Sequence, residues 1–193
     1  MSHILILYAS HYGQTRKIAV RISEVLHEQG INFTLVDAGG PTLPPSPEAY
    51  DVVVIGSRVE AGKHARDIRS YIHTHQEALQ HRPTAFFSVS MAASTVELGD
   101  DPNGYLRATF EELDWRPQLA AAFAGKLAYR EYGWFLRVVM KMVSRSAGHP
   151  IDTSRNHELT DWTAVRNFAL DLVRLALPSE IPMLPRTRPA PRA

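Results

Sequence analysis

Residues 4–15 read ILILYASHYGQT, an unbroken apolar run followed by a short polar turn that contains one glycine. Such a run is typical of a strand buried on both faces, as in a parallel sheet. Residues 15–29 then place Ile18 and Ile22 on one face of an amphipathic helix that ends at Gly30. The sequence therefore opens with a strand, a polar turn and a helix.

The same alternation continues along the chain. Apolar runs predict further strands at residues 33–36, 52–55, 85–89 and 119–124. Amphipathic stretches predict helices at residues 65–78, 105–113 and 161–177, the last with Thr160 as its N-cap. Alternating strands and helices predict an α/β protein whose parallel sheet has helices on both faces. Such sheets bind ligands beyond the carboxyl ends of their strands.

The polar turn at residues 10–15 has the residues of a phosphate site. Backbone N–H groups and the dipole at a helix N-terminus favour an anion. Ser10 and Thr15 supply hydroxyl donors, and Gly13 allows a close approach of the backbone. The alternative is that both hydroxyls only cap the helix. Because the chain lacks a dinucleotide-binding glycine motif and a correctly spaced P-loop lysine, the pattern favours a retained monophosphate.

Composition excludes several classes of function. The 193 residues fit one domain, and the absence of cysteine excludes disulfides, thiolate metal sites and cysteine nucleophiles. With 21 basic and 20 acidic residues, the net charge of +1 gives no reason to expect a nucleic-acid partner. His73 and His75 point in different directions on a helix, so we expect no metal site.

The two ends of the chain carry different expectations. No secretory leader precedes the first strand and no segment has the ~20 apolar residues of a spanning helix, which predicts a cytoplasmic protein. Residues 1–177 form the predicted domain. Residues 178–193 are rich in proline and arginine, so we expect a mobile tail there.

Residues 10–15 resemble the S/T-x-x-G-N/Q-T phosphate loop of the flavodoxins, and residues 50–57 and 86–90 resemble the strands and loops that hold the flavin in that family. Three further segments resemble the menaquinone-dependent protoporphyrinogen IX dehydrogenases, a flavodoxin-like branch of haem biosynthesis: residues 115–117, 124–127 and 160–162. The similarity covers about residues 4–175. It implies a three-layer flavodoxin-like fold, with a five-stranded parallel sheet in the order 2-1-3-4-5 and non-covalent FMN.

The resemblance also implies which residues contact the cofactor. The first loop would hold the phosphate, with the residues Ser10, His11, Tyr12, Gly13, Gln14 and Thr15. The ring would lie between a second and a third loop, which contain Ser57, Arg58, Val59 and Gly62, and Ser88, Val89, Ser90, Met91, Ala92, Ala93 and Ser94. Contacts to substrate or membrane are expected from Lys63, His64 and Arg66. No catalytic acid or base is predicted, because the flavin accepts the hydride.

The implied activity is oxidation of protoporphyrinogen IX, with electrons passed to a membrane quinone. Three alternatives remain open at this point: an NAD(P)H:quinone oxidoreductase, a flavodoxin that only carries electrons, and a phosphate-binding module without flavin. A homo-oligomer is also open.

The connection before the last helix is unusually long, at about 35 residues. Within this insertion, about residues 127–149, the cations Arg137, Lys141 and Arg145 recur every fourth residue and form one stripe of a predicted helix at residues 129–146. Arg130 and Trp134 lie at its start. A basic stripe beside apolar faces is typical of a helix in a membrane surface, which would place the protein on the cytoplasmic face of the inner membrane. The alternative is a helix packed on the domain with solvated cations.

Overall fold

The predicted alternation of strands and helices forms a layered sheet structure. The structure, a computed structural model, describes residues 2–91, 93, 101, 104–127 and 157–177. Its strands are β1 (His3–Ala9), β2 (Asn32–Asp37), β3 (Val52–Glu60), β4 (Lys63–His64), β5 (Thr84–Ser90), β6 (Leu119–Ala124), β7 (Lys126–Leu127) and β8 (His157–Glu158). Its α-helices are α1 (Gln14–Glu28), α2 (Arg66–Thr74), α3 (Gln76–Gln80), α4 (Tyr105–Glu112) and α5 (Trp162–Ala176), and a 3-10 helix spans Pro47–Ala49.

The main sheet has the predicted topology. Five parallel strands lie in the order β2-β1-β3-β5-β6, which is 2-1-3-4-5 when the short strand β4 is left out of the numbering. In the middle of the sheet, Ile4 of β1 lies opposite Phe33 of β2 and Val52 of β3. β2 is added on one side of β1 and all later strands of the main sheet on the other side, so the strand order switches between β1 and β3. The loops after these strands are therefore where this topology places a ligand.

Alternate residues of each strand face two separate hydrophobic layers. Along β1, Ile4 and Ile6 face α1 and α5, whereas Leu5 and Leu7 face α2, α3 and α4. All four side chains are fully buried. Burial on both faces explains why the strand sequences are continuously apolar rather than alternating. It makes this structure three-layered, with helices on each side of the sheet.

Two helix boundaries differ from the prediction. The single helix expected at residues 65–78 is two helices, α2 and α3, with His75 between them in a non-helical conformation. Thr160 is not the N-cap of the last helix. Asp161 is, because its carboxylate accepts hydrogen bonds from the N–H groups of Thr163 and Ala164.

The third strand is longer than predicted and turns back on itself. β3 continues beyond Ile55 to Glu60 and pairs with the antiparallel β4, so that Val59 lies opposite His64. The turn residues Ala61 and Gly62 have φ angles of 49° and 79°, the combination that a tight two-residue hairpin requires. The segment from Ser57, predicted to be a flavin loop, is therefore the end of a strand followed by a two-residue hairpin.

Candidate functional site

The turn after β1 presents unused hydrogen-bond donors at the start of α1. Gly13 is the N-cap, with φ of 81°, and no side chain caps the helix. The alternative that Ser10 and Thr15 only cap this helix is therefore wrong. The Ser10 Oγ atom is buried and has no hydrogen-bond partner among the described residues, and Thr15 is buried as well. Buried polar groups are rarely left unpaired, and the Ser10 hydroxyl and the uncapped start of α1 are donors of the kind that bind anions.

Gln14 ties this loop to the last part of the chain. Its amide Nε2 donates to the Thr160 hydroxyl over 2.8 Å, and that hydroxyl donates to the carbonyl of Ala124 over 2.7 Å. Lys17, one turn further along α1, forms an ion pair of 2.9 Å with Glu158. Burial raises the pKa of Glu158, but hydrogen bonds from Lys17, Trp162 and Gln14 outweigh that effect and lower it. Strand β8 is thereby fixed against the start of α1.

An ion-paired rim connects the first loop to the hairpin. The Glu60 carboxylate lies 3.1 Å from the Arg58 Nε and 3.5 Å from the His11 Nδ1, and His11 stacks on Tyr12 with ring centroids 4.3 Å apart. The hydrogen bond from Arg58 holds the pKa of Glu60 below its usual value. Of the predicted cofactor-binding residues, His11, Tyr12 and Arg58 therefore lie together, and Glu60 joins them. Sequence reasoning did not assign Glu60 to the site.

His64 corrects one prediction. Its side chain is only 2% exposed and does not lie at a surface where it would contact substrate or membrane. The Nε2 atom lies 2.9 Å from the Ser88 Oγ and the Nδ1 atom 2.8 Å from the Thr109 Oγ1. Burial lowers the pKa of this imidazole to about 4. No local sequence signal indicated this, because the exposure of Lys63 and the burial of His64 depend on the pairing of β4 with β3.

The side chains of Ser57 on β3 and Ser88 on β5 also face inward. Ser57 accepts a hydrogen bond from the N–H of Ala65 and donates to the carbonyl of Arg58, while Ser88 bonds to His64. Val89 packs in the core beside α1 and α5. The side chains of these three predicted cofactor-binding residues therefore lie inside the fold, and their backbones belong to paired strands of the main sheet.

The described part of the third loop lies at the same edge. The Ser90 hydroxyl accepts a hydrogen bond of 3.3 Å from the N–H of Ala93, and Met91 is half-buried. Lys63 and Arg66 are exposed on the hairpin and at the start of α2. Seven predicted site residues lie outside the described residues, as do most of the 127–149 insertion and the 178–193 tail: Ala92, Ser94, Arg130, Trp134, Arg137, Lys141 and Arg145.

Other features of the described residues do not suggest a second site. Across the described ranges, no group of three or more His, Cys, Asp or Glu side chains could hold a metal ion. No helix within those ranges is both long and apolar enough to cross a bilayer. A cavity of about 390 Å³ lies at the amino ends of the strands, away from the loops described above, between Glu48, His75, His81 and Arg82.

The chain is similar to flavodoxins and to one group of enzymes. The family model described as "Flavodoxin domain" matches residues 5–154. A protoporphyrinogen IX dehydrogenase (quinone) from Escherichia coli is 33% identical over 172 residues, which cover 89% of this chain and 94% of that protein. A protein of the same name from Leishmania major is 31% identical over 184 residues, 94% of this chain and 78% of that protein.

Solved structures agree with this fold. Oxidised flavodoxin 1 from Bacillus cereus superposes with a TM-score of 0.56 at 15% identity, covering 90% of this chain and 98% of that one. At such low identity the likeness concerns the fold alone. It shows that the order of strands and helices seen here is the flavodoxin arrangement.

Proposed function

Since the chain belongs to the flavodoxin domain family and is an FMN-dependent oxidoreductase, we propose that it oxidises protoporphyrinogen IX and passes the electrons to a membrane quinone. The structural observation that carries the proposal is the buried Ser10 hydroxyl, which has no partner in the described part of the chain and lies beside the uncapped start of α1. The choice of substrate follows the two relatives, which are similar along most of this chain rather than in the first loop alone.

The residues of the first loop fit the phosphate of FMN. A phosphate monoester carries up to two negative charges and accepts several hydrogen bonds. The Ser10 hydroxyl and the first amides of α1 are donors that the described residues leave available for it, and the buried Thr15 hydroxyl lies beside them in the same turn. Gly13, in the left-handed region, keeps the backbone free of a side chain at the N-cap. No lysine is needed, because the phosphate is held and not transferred.

The hairpin and the third loop would flank the isoalloxazine ring. Arg58, Val59 and Gly62 belong to one wall, and Ser90, Met91 and Ala93 to the other. FMN, when bound, supplies the hydride-accepting and electron-releasing chemistry itself. The chain's residues bind and orient it and exclude water, so we assign none of them as a general acid or base.

Cations at the same edge would bind the carboxylates of the substrate. A porphyrinogen with acidic side chains is recognised best by lysine and arginine. Arg58 is already paired with Glu60, whereas Lys63 and Arg66 are exposed next to the hairpin. We therefore assign Lys63 and Arg66 to substrate binding. The basic stripe of the predicted helix at 129–146 would bring the same edge to the membrane that contains the quinone.

The test is a direct assay of turnover. FMN-loaded protein is mixed anaerobically with protoporphyrinogen IX and a menaquinone analogue, and porphyrin fluorescence is followed together with quinone reduction. We expect both signals to rise together, and neither to rise with protein stripped of FMN or with buffer alone.

Other outcomes would replace the proposal. Bleaching of the flavin by NADPH, with quinone reduction but without porphyrin, would make the protein an NAD(P)H:quinone oxidoreductase. Electron exchange with a redox protein, without turnover of either small substrate, would make it an electron carrier.

A further inference from the structure

We propose that His64 is a positioning residue, which sets the distance between the two walls of the flavin ring through its hydrogen bond to Ser88. The inference rests on the proposed function, because it takes the hairpin and the third loop as those walls. It gives a role to a buried imidazole that sequence reasoning had placed at the surface.

His64 joins three elements at one point. It is the last residue of β4, its Nε2 lies 2.9 Å from the hydroxyl of Ser88 on β5, and its Nδ1 lies 2.8 Å from the hydroxyl of Thr109 on α4. The ring also packs edge-on against Phe86, with centroids 5.1 Å apart. Both ring nitrogens are therefore used, and the imidazole contacts Ser88, Thr109 and Phe86.

The bond to Ser88 spans the two predicted walls. The parallel register of β3 and β5 runs as far as Arg58 opposite Val89. Beyond that pair the chain of β3 leaves the main sheet and forms the hairpin with β4. His64 returns from this hairpin to Ser88, two residues before Ser90 of the third loop. A change in the His64–Ser88 distance therefore changes the gap between the hairpin and the third loop.

The surroundings make the link strong. His64 and Ser88 are each 2% exposed and Thr109 is 5% exposed, so water cannot replace a lost partner without rearrangement. Burial also keeps the imidazole neutral at neutral pH, since its pKa is about 4. In the neutral ring one nitrogen donates and the other accepts, and a hydroxyl can complement either role.

The experiment separates positioning from simple stabilisation. His64→Asn has an amide that reaches only as far as Nδ1, so it can keep the bond to Thr109 but loses Ser88. His64→Gln has an amide that reaches as far as Nε2, so it can keep Ser88. Ser88→Ala removes the link from the other side, and Thr109→Val is the matched control that removes the second hydrogen bond of the same ring. Affinities for FMN and riboflavin are measured by quenching of flavin fluorescence, together with the absorption spectrum of bound FMN and thermal stability.

We expect Ser88→Ala and His64→Asn to weaken the binding of FMN and of riboflavin by the same factor, about tenfold, because only the ring site is altered. The double variant should lose no more than either single one. The spectrum of bound FMN should change in these variants. His64→Gln should stay within about threefold of the unmodified protein, and Thr109→Val should lower thermal stability while leaving flavin affinity within about twofold.

Two results would overturn the inference. One is unchanged flavin affinity in Ser88→Ala and His64→Asn, and the other is an equal loss in Thr109→Val, which would show a general structural role. Both leave the proposed function intact, because the unmodified protein would still bind FMN. Failure of the unmodified protein to bind FMN would instead remove the proposed function.

Discussion

At the scale of single residues, Ser10 is one of four described residues with a buried side-chain atom that lacks a hydrogen-bond partner, and its hydroxyl lies in the predicted phosphate loop. A buried hydroxyl with no partner costs about 1–3 kcal/mol of folding free energy. The same hydroxyl can donate to a phosphate oxygen once FMN is bound. The Ser10 hydroxyl therefore destabilises the flavin-free protein but stabilises the complex with FMN.

We predict that Ser10→Ala leaves the free energy of unfolding of the flavin-free protein unchanged or raises it, but weakens FMN binding by about 1–3 kcal/mol, which is about 5-fold to 150-fold. Riboflavin, which lacks the phosphate, should bind both proteins equally. Urea unfolding and fluorescence titration measure the two quantities. Ser46→Ala is the control, because Ser46 caps the 3-10 helix at residues 47–49 and should not affect flavin affinity. Equal losses for FMN and riboflavin in Ser10→Ala would place the phosphate elsewhere.

His64 makes stability depend on pH in a window that its pKa defines. Its pKa is about 4 in the folded protein, compared with 6.5 for an ordinary histidine, because burial disfavours the charged ring. Arg69 lowers this pKa further, and Asp101 raises it. Between these two values the unfolded chain binds more protons than the folded one, so stability falls as the pH falls.

We predict that the contribution of His64 is fully present above about pH 6.5 and is lost as the pH falls to about 4, with a total of about 3 kcal/mol. The measurement is urea unfolding of the FMN-loaded protein from pH 7 to pH 4, compared with His64→Gln at each pH. Subtraction removes the titration of the carboxylates and of the flavin phosphate, which both proteins share. Parallel stability curves for the two proteins would contradict the prediction.

At the scale of elements, Gly56 sets how closely β3 approaches the side chains of β5. A Cβ added at Gly56 would lie 2.0 Å from the ring of Phe87. That ring is fully buried and in contact with Phe123 and Phe168, so it has little room to move. Glycine is therefore required here by packing, since its φ lies outside the left-handed region.

We predict that Gly56→Ala destabilises the protein by about 1–3 kcal/mol through overpacking. Gly125→Ala is the matched control, because the nearest atom to its added Cβ is 3.5 Å away, an ordinary contact, and the cost should be within about 0.5 kcal/mol. Both values come from urea unfolding. A loss in Gly56→Ala no larger than in the control would mean that the Phe87 ring moves aside freely.

The elements also show which inferences a sequence supports. The strands follow from apolar runs that are buried on both faces, and the first loop follows from a local pattern around Gly13. The order of the strands was predicted only from the resemblance to the flavodoxins. The sequence did not predict the hairpin after β3, the division between α2 and α3, or the bond from Gln14 to Thr160. These features depend on contacts between residues far apart in the chain, which no local pattern encodes. For the same reason the sequence predicts Thr160 as a helix cap, whereas its hydroxyl donates to the carbonyl of Ala124 at the end of β6.

At the scale of the whole molecule, the segments that flank the long insertion contact the first loop and the start of α1. Strands β7 and β8 pair antiparallel on either side of residues 128–156, and β8 is held by Lys17. Thr160, which follows β8, is held by Gln14 next to Gly13. Strands β7 and β8, which flank residues 128–156, are therefore adjacent to each other and to the predicted phosphate site. The core of the domain lies elsewhere, in the layers on the two faces of the main sheet.

This arrangement allows the insertion to be deleted while β7 and β8 are kept. We predict that the protein still folds after deletion of residues 129–148, with residues 128 and 149–156 kept as the connection. Its affinity for FMN should stay within about twofold of that of the full chain. Binding to vesicles of anionic phospholipid should be lost, because the basic stripe Arg137, Lys141 and Arg145 lies within the deleted part.

The discriminating measurement is the choice of quinone. If the insertion serves to reach the bilayer, the deletion should lower the rate with a lipid-soluble menaquinone analogue in vesicles at least tenfold, yet leave the rate with a water-soluble quinone nearly unchanged, because only access to the lipid is altered. Replacement of the three cations of the stripe by glutamine in the full-length chain should also lower the rate with the lipid-soluble quinone. The rate that remains in vesicles should depend less on salt than that of the unmodified protein. Equal rates for the deleted and full-length proteins in vesicles would show that the insertion packs on the domain and that quinone access does not depend on it.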